Sequence, residues 1–280
     1  MTTRMELDSP ALRNAVQWLA SHALPAFGLA LTAVIAAVCI LWWLGLRYGT
    51  YRETSRFSPL AYQLAYLALG FALITGAAAV FAEIAENLGD GRKLGQLDLL
   101  FSDTIRATVP LGAIRVFALL THFGDTLTLT GLCMVGALAL LRQRRYGLCV
   151  GWVLAFVGNA GLNQVLKSIF ERTRPVHDNG LAFADGWSFP SGHASGSVVA
   201  YGMLAYLLVR LLPARHAPAH LPIVAAAAAL AFTIGSSRVF VQVHFASDVL
   251  AGFASGTAWL VVCISAVELA RYGRNRRLAR

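Results

Sequence analysis

Several long stretches of this chain carry almost no charge over the length that a helix needs to cross a bilayer. That pattern limits the possible folds more than any other feature. Apolar runs between charged residues give candidate spans near 23–46, 59–82, 124–141, 147–167, 192–211, 221–237 and 248–268. The hydrophobic share is 57% and the charged share 13%. Soluble domains carry about a quarter charged residues, so this chain cannot cover a water-exposed globule with polar surface. The expected architecture is all-α, a polytopic transmembrane helix bundle. The run Ala23–Leu46 is too long for a signal-peptide core and is retained as a membrane helix.

The formal net charge of +9 would suggest nucleic acid in a soluble protein. Here the arginines sit in short loops beside apolar runs, which reads as topology. The basic groups are Arg47, Arg52 and Arg56; Arg142, Arg144 and Arg145; Arg210 and Arg215; and the tail Arg271, Arg274, Arg276, Arg277 and Arg280. Alternation through seven helices puts all four groups on the cytoplasmic side. The amino terminus, the 83–123 segment, the 168–191 loop and the 238–247 turn then face away from the cytoplasm. Cys39, Cys133, Cys149 and Cys263 fall inside apolar segments without CxxC pairing, so they read as small buried residues.

The segment Leu97–His122 mixes apolar residues with Asp98, Asp103, Arg106 and Arg115 and is interrupted by Pro110. It reads as helix lying in the interface, either a connector over the bundle or a lid beside a site. Asn159, Asn163 and Gln164 read as interhelical hydrogen-bond glue. His122, His177, Asp178 and Asp185 read as solvated loop residues, and Glu171 with Arg172 as a local pair, a site role being the lesser alternative.

Three clusters place cationic and imidazole groups at the extracytoplasmic ends of helices. They are Lys167 to Arg174-Pro175, then Pro190-Ser191-Gly192-His193, then Ser237-Arg238 through His244 to Asp248. His244 and Asp248 are four apart, so on a helix they share a face and the carboxylate can accept the Nδ1–H. Nε2 then presents a lone pair to an electrophile. Lys167, Arg174 and Arg238 suit the equatorial oxygens of a phosphoryl group. Ser191 and Gly192 open a helix whose free N–H groups favour an anion. His193 is placed to protonate a leaving oxygen and later to activate water. No HExxH, EF-hand pattern or carboxylate cluster points to a divalent metal, and no cofactor is expected.

The pattern K-x6-R-P, P-S-G-H, S-R-x5-H-x3-D resembles the three-part signature of the type 2 phosphatidic acid phosphatase and vanadium haloperoxidase superfamily, over about residues 60 to 268. The resemblance implies a six-helix phosphatase core, metal-independent phosphoester or diphosphate hydrolysis and a phosphohistidine intermediate. By position, Lys167, Arg174 and Arg238 would bind phosphoryl oxygens, with Ser191 and Gly192 as further donors. His193 would be the acid, His244 the nucleophile and Asp248 its orienter.

The expected organisation is therefore an N-terminal tail, extra helix and loop at 1–58, a membrane phosphatase domain at 59–270 and a basic tail at 271–280. The implied partner is a lipid phosphate in a bilayer, with undecaprenyl diphosphate, phosphatidic acid, phosphatidylglycerol phosphate and lipid A as candidates. The compact chain and the resemblance place it in a bacterial inner membrane with an extracytoplasmic site. A phosphotransferase would share the intermediate. A haloperoxidase is disfavoured by the membrane spans, and a lipid-binding or transport protein by charges that gather at one face instead of mid-helix.

Overall fold

The computed structural model describes residues 9–48, 59–88, 92–175 and 184–278. Within them the chain forms α1 (Pro10–Ser21), α2 (Ala23–Tyr48), α3 (Pro59–Glu86), α4 (Lys93–Thr108) and α5 (Leu111–Leu120). A short 3-10 turn (Thr121–Gly124) leads into α6 (Thr126–Arg142), followed by α7 (Tyr146–Phe170), α8 (Gly192–Leu211), α9 (His220–Phe240) and α10 (Ala246–Leu278). Seven segments among the described residues are long and apolar enough to cross a membrane, Leu111–Arg142 counting as one. The architecture is the expected polytopic helix bundle. The exposed leucines and phenylalanines on α2 and α3, among them Leu29, Leu41 and Phe71, would be a liability in water and are the lipid-facing surface of a membrane protein.

The helix ends follow local chemistry. Ser9 caps α1 by accepting from the Leu12 amide, with Pro10 at the first helical position. Pro110 lacks an N–H and holds Val109 in an extended conformation, so the Leu97–His122 segment divides into α4 and α5. Only α4 keeps the character of an interfacial helix, because α5 is apolar and belongs to the third candidate span. Two further departures concern the termini. Residues 10–21, anticipated as a tail, form a helix packed on α4, and α10 runs past 268 through most of the basic tail. Arg4, Arg52, Arg56, His177, Asp178 and Arg280 lie outside the described residues.

α8 is the central helix, packed against α7, α9 and α10. Its contact with α10 runs along Gly252 and Gly256. A Cβ at Gly252 would lie 2.6 Å from the Ser191 carbonyl oxygen, and one at Gly256 would lie 2.8 Å from Ser195 Cα. Small residues four apart let two membrane helices touch backbone to backbone. One apolar cluster joins α6, α7, α8 and α10 around the fully buried Trp152. A second, at the opposite end, joins α1, α4, α5 and the end of α9. There the rings of Phe117 and Phe240 stack at 4.0 Å, while Phe27 meets Phe117 edge-on at 5.2 Å. α7 and α9 finish at this second end, and α6, α8 and α10 begin there.

Candidate active site

That helix end gathers the three sequence clusters. Ser191 caps α8 by accepting from the Ala194 amide at 3.4 Å. Its own N–H donates to the Asp248 carbonyl at 2.9 Å, locking the start of α8 to the start of α10. Lys167 comes from the last turn of α7, Arg238 from the last turn of α9, and Arg174 from the extended segment after α7. α7 stops at Glu171, whose left-handed backbone (φ 42°) turns the chain out of the helix.

His244 lies in the turn between α9 and α10, ahead of the helix that carries Asp248. The four-residue spacing therefore works across a turn–helix junction, where a face shared along one helix was expected. His244 Nε2 sits 3.1 Å from Arg174 Nη1. A guanidinium can only donate, so Nε2 carries the lone pair and the proton belongs on Nδ1. On that side Asp248 Oδ2 stands 3.4 Å away and Ser188 Oγ 3.3 Å away, with the Ser188 hydroxyl donating to Asp248 Oδ2. Asp248 Oδ2 also accepts from the Phe245 amide at 2.9 Å. His244 is buried, and burial pushes its pKa down from 6.5 to about 3 despite the opposing pull of Asp248. The imidazole is thus neutral, with its Nε2 lone pair turned to Arg174 at the cavity wall.

Arg174 is held by a ring of carbonyls. Its Nε donates to Gly186 (2.9 Å), Nη1 to Val243 (2.8 Å) and Nη2 to Asp185 (2.9 Å) and Trp187 (3.1 Å). Lys167 Nζ also donates to the Trp187 carbonyl. Arg238, 2% exposed, donates through Nη1 to Thr121 Oγ1 at 2.8 Å, and its buried Nε has no partner among the described residues. His193 Nε2 lies 2.9 Å from Asp125 Oδ1, while the other Asp125 oxygen is 2.7 Å from His122 Nδ1.

A cavity of about 560 Å³ joins these groups. Lys167, Arg174, Gly192, His193, Arg238 and His244 line its polar end, whereas Asp248 and Ser191 are fully buried behind its wall. It continues between α6, α7 and α8 past Asn159 and Asn163 to Leu129, Cys133, Phe156 and Val157. Phe156 is eleven residues before Lys167 on α7, which is about 16 Å along a helix axis. Asn159 bonds Ser195 Oγ (3.5 Å) and Asn163 bonds the Pro190 carbonyl (3.4 Å), so both tie α7 to α8 while lining the cavity. No group of three or more His, Cys, Asp or Glu that could hold a metal occurs among the described residues.

Several participants were not read from the sequence. Arg172 does not pair with Glu171: it reaches Asp98 Oδ2 at 2.7 Å and Asp248 Oδ1 at 2.6 Å. Asp98, Thr121, Asp125 and Ser188 each touch a predicted site residue or its partner from a distant part of the chain. Only the low overall number of carboxylates singles out Asp98 and Asp125 in the sequence.

A multi-pass helix bundle with this motif set at one end of its helices defines a membrane phosphatase. Residues 146–272 match the PAP2 superfamily, and the chain belongs to that family. It is 34% identical over 139 residues to phosphatidylglycerophosphatase B of Bacillus subtilis, an overlap covering 49% of this chain and 66% of that protein. It is 32% identical over 205 residues to a lipid A 1-phosphatase of Rhizobium johnstonii, covering 65% of this chain and 78% of the relative. A decaprenylphosphoryl-5-phosphoribose phosphatase of Mycobacterium tuberculosis is 34% identical over 141 residues, covering 49% and 71%. The crystal structure of a transmembrane PAP2-type phosphatidylglycerolphosphate phosphatase from Bacillus subtilis superposes with a TM-score of 0.65 at 27% identity, covering 70% of this chain and 96% of that one.

Proposed function

We propose that this chain hydrolyses a phosphate monoester or diphosphate of a membrane lipid through a phosphohistidine formed on His244, within a phosphatase domain at residues 59–270. The observation that carries this reading is the pairing at His244, with Nε2 facing Arg174 and Nδ1 facing Asp248 and Ser188. That is the orienter and nucleophile arrangement of covalent catalysis.

In the first step Nε2 donates its lone pair to phosphorus, and the bond from phosphorus to the lipid-side oxygen breaks. His193 supplies the proton that this oxygen takes. In the second step water attacks phosphorus, the P–N bond breaks, and the water proton passes to His193. Inorganic phosphate leaves and His244 returns to its starting form. Lys167, Arg174 and Arg238 neutralise the phosphoryl oxygens, and the unpartnered Nε of Arg238 is a donor suited to one of them. Gly192 adds a free first-turn N–H on the cavity wall, while Ser191, expected as a further donor, is buried behind that wall and supports the site as the cap of α8.

A cavity with cationic groups at one end and Leu129, Phe156 and Val157 deeper between helices suits a phosphate whose hydrocarbon stays in the bilayer. The named relatives act on three different lipid phosphates, so kinship points to the class. The basic residues Arg142, Arg144, Arg145 and Arg210 sit at the helix ends away from the site, which supports an extracytoplasmic site in an inner membrane.

The test is phosphate release by detergent-purified wild type and His244→Ala against undecaprenyl diphosphate, phosphatidic acid, phosphatidylglycerol phosphate and lipid A. Release by wild type alone, with an acid-labile phosphoenzyme, supports the reading and ranks the substrates. Wild-type turnover by His244→Ala overturns it.

A further inference from the structure

We propose that Arg172 is a positioning residue for the nucleophile, bridging Asp98 on the interfacial helix α4 to Asp248 behind His244. This rests on the reading of His244 as nucleophile and Asp248 as its orienter. The two carboxylates are buried and take different nitrogens of one guanidinium, Asp98 Oδ2 from Nη2 at 2.7 Å and Asp248 Oδ1 from Nη1 at 2.6 Å. Two carboxylates buried this close need a shared cation, and a planar fork can serve both in fixed directions where a single ammonium cannot.

Arg172 reaches the nucleophile by two routes. Its side chain holds Asp248, while its carbonyl accepts from the Ser188 amide at 2.7 Å, and the Ser188 hydroxyl donates to Asp248 and lies 3.3 Å from His244 Nδ1. The guanidinium is fixed from above as well, lying 4.3 Å over the Phe245 ring and 2.7 Å from Ser247 Oγ. α4 is joined to the same turn at three further points. Asp98 Oδ1 accepts from the Ser247 amide at 3.2 Å, Asp98 Oδ2 accepts from the Ser247 hydroxyl, and Gln242 Nε2 donates to the Ser102 carbonyl at 2.7 Å. The interfacial helix is therefore a brace for the nucleophile turn, and Arg172 is its link to the carboxylate that orients His244.

The experiment uses the full chain in detergent with dioctanoyl phosphatidic acid, comparing Arg172→Gln and Arg172→Lys with and without Asp98→Asn, and His244→Ala alongside. Arg172→Gln is expected to lower kcat at least 100-fold with KM changed less than threefold, since Arg172 does not line the cavity. In Arg172→Lys one ammonium faces two competing carboxylates, so Asp98→Asn should raise its kcat at least fivefold by leaving Asp248 as sole partner. The same Asp98→Asn in the Arg172→Gln background should restore nothing. Restoration there to within twofold of wild type would mean that Arg172 only neutralises Asp98, and would overturn the proposal. Failure of Asp98→Asn to help the lysine variant would overturn it too, and that comparison stands even where the glutamine variant does not fold. Turnover by His244→Ala would instead remove the parent reading. An inactive His244→Ala beside a fully active Arg172→Gln would remove the positioning role alone.

Discussion

Asp125 places a carboxylate oxygen 2.9 Å from Nε2 of His193, joining the start of α6 to the start of α8 across 68 residues of chain. The ring is thereby fixed through one nitrogen, and the proposed proton transfer would fall to Nδ1. At Gly124, next in the chain, a Cβ would come within 2.9 Å of His193 Cδ2, so the ring is also held by contact. A half-buried histidine that is both bonded and packed in this way is held in one orientation.

With His193 as the proposed proton donor, Asp125→Ala should lower kcat by about 10- to 100-fold for an alkyl phosphate, less than the roughly 100- to 10,000-fold a positioned acid contributes, because the imidazole itself remains. A phenyl-type phosphate with a good leaving group should lose far less. Comparing kcat for the two substrate types checks this, and equal losses would argue against the acid role of His193.

The depressed pKa of His244, about 3 against the usual 6.5, makes a pH prediction. The His244 imidazole stays neutral between pH 5 and 8, so the rate of the proposed phosphoenzyme formation, corrected for substrate ionisation, should show no acid limb near 6.5. For stability the sign runs the same way. The unfolded chain takes up this proton more readily than the folded one, so the contribution of the neutral buried ring is complete above about pH 6.5 and is lost as pH falls towards 3. Thermal unfolding in detergent at pH 7.5 and 5 should show the lower midpoint at the acid value.

Close contact between α8 and α10 predicts a steric effect. Gly256→Val adds atoms where even a Cβ would lie 2.8 Å from Ser195 backbone. Overpacking of this kind costs about 1–3 kcal/mol, so a lower melting midpoint and reduced turnover are expected together, because the seam positions both Ser191 and Asp248. Gly112→Ala, where a Cβ would meet nothing within 4 Å, is the control and should leave both unchanged.

The proposed chemistry neutralises the phosphoryl oxygens with lysine and arginine and moves the proton through histidine. Extensive treatment with EDTA is therefore expected to leave phosphate release within twofold of the untreated enzyme. A strict requirement for added magnesium after metal removal would count against the phosphohistidine mechanism.

Much of this protein is legible along the chain because membrane helices announce themselves by length and lack of charge, and because the motif residues are spaced within a turn or two. His244 and Asp248, or Ser191 and His193, are close enough in sequence for local geometry to suggest their relation. Where the structure departs from local expectation, the cause is long-range packing. Proximity in sequence pairs Arg172 with its neighbour Glu171, yet its partners are 74 and 76 residues away. The mixed composition around Pro110 reads as one interfacial element, although its second half is apolar enough to join the next span.

The sequence by itself therefore determined the bundle class, the spans and the charged and imidazole groups at one end, since hydrophobic length and short-range spacing are properties of a linear string. The tertiary structure alone decided which buried groups support them. Asp98 lies 149 residues from Ser247, Thr121 lies 117 from Arg238 and Asp125 lies 68 from His193. A buried polar group must find a partner wherever packing brings one, and no periodicity in the chain encodes which residue that will be.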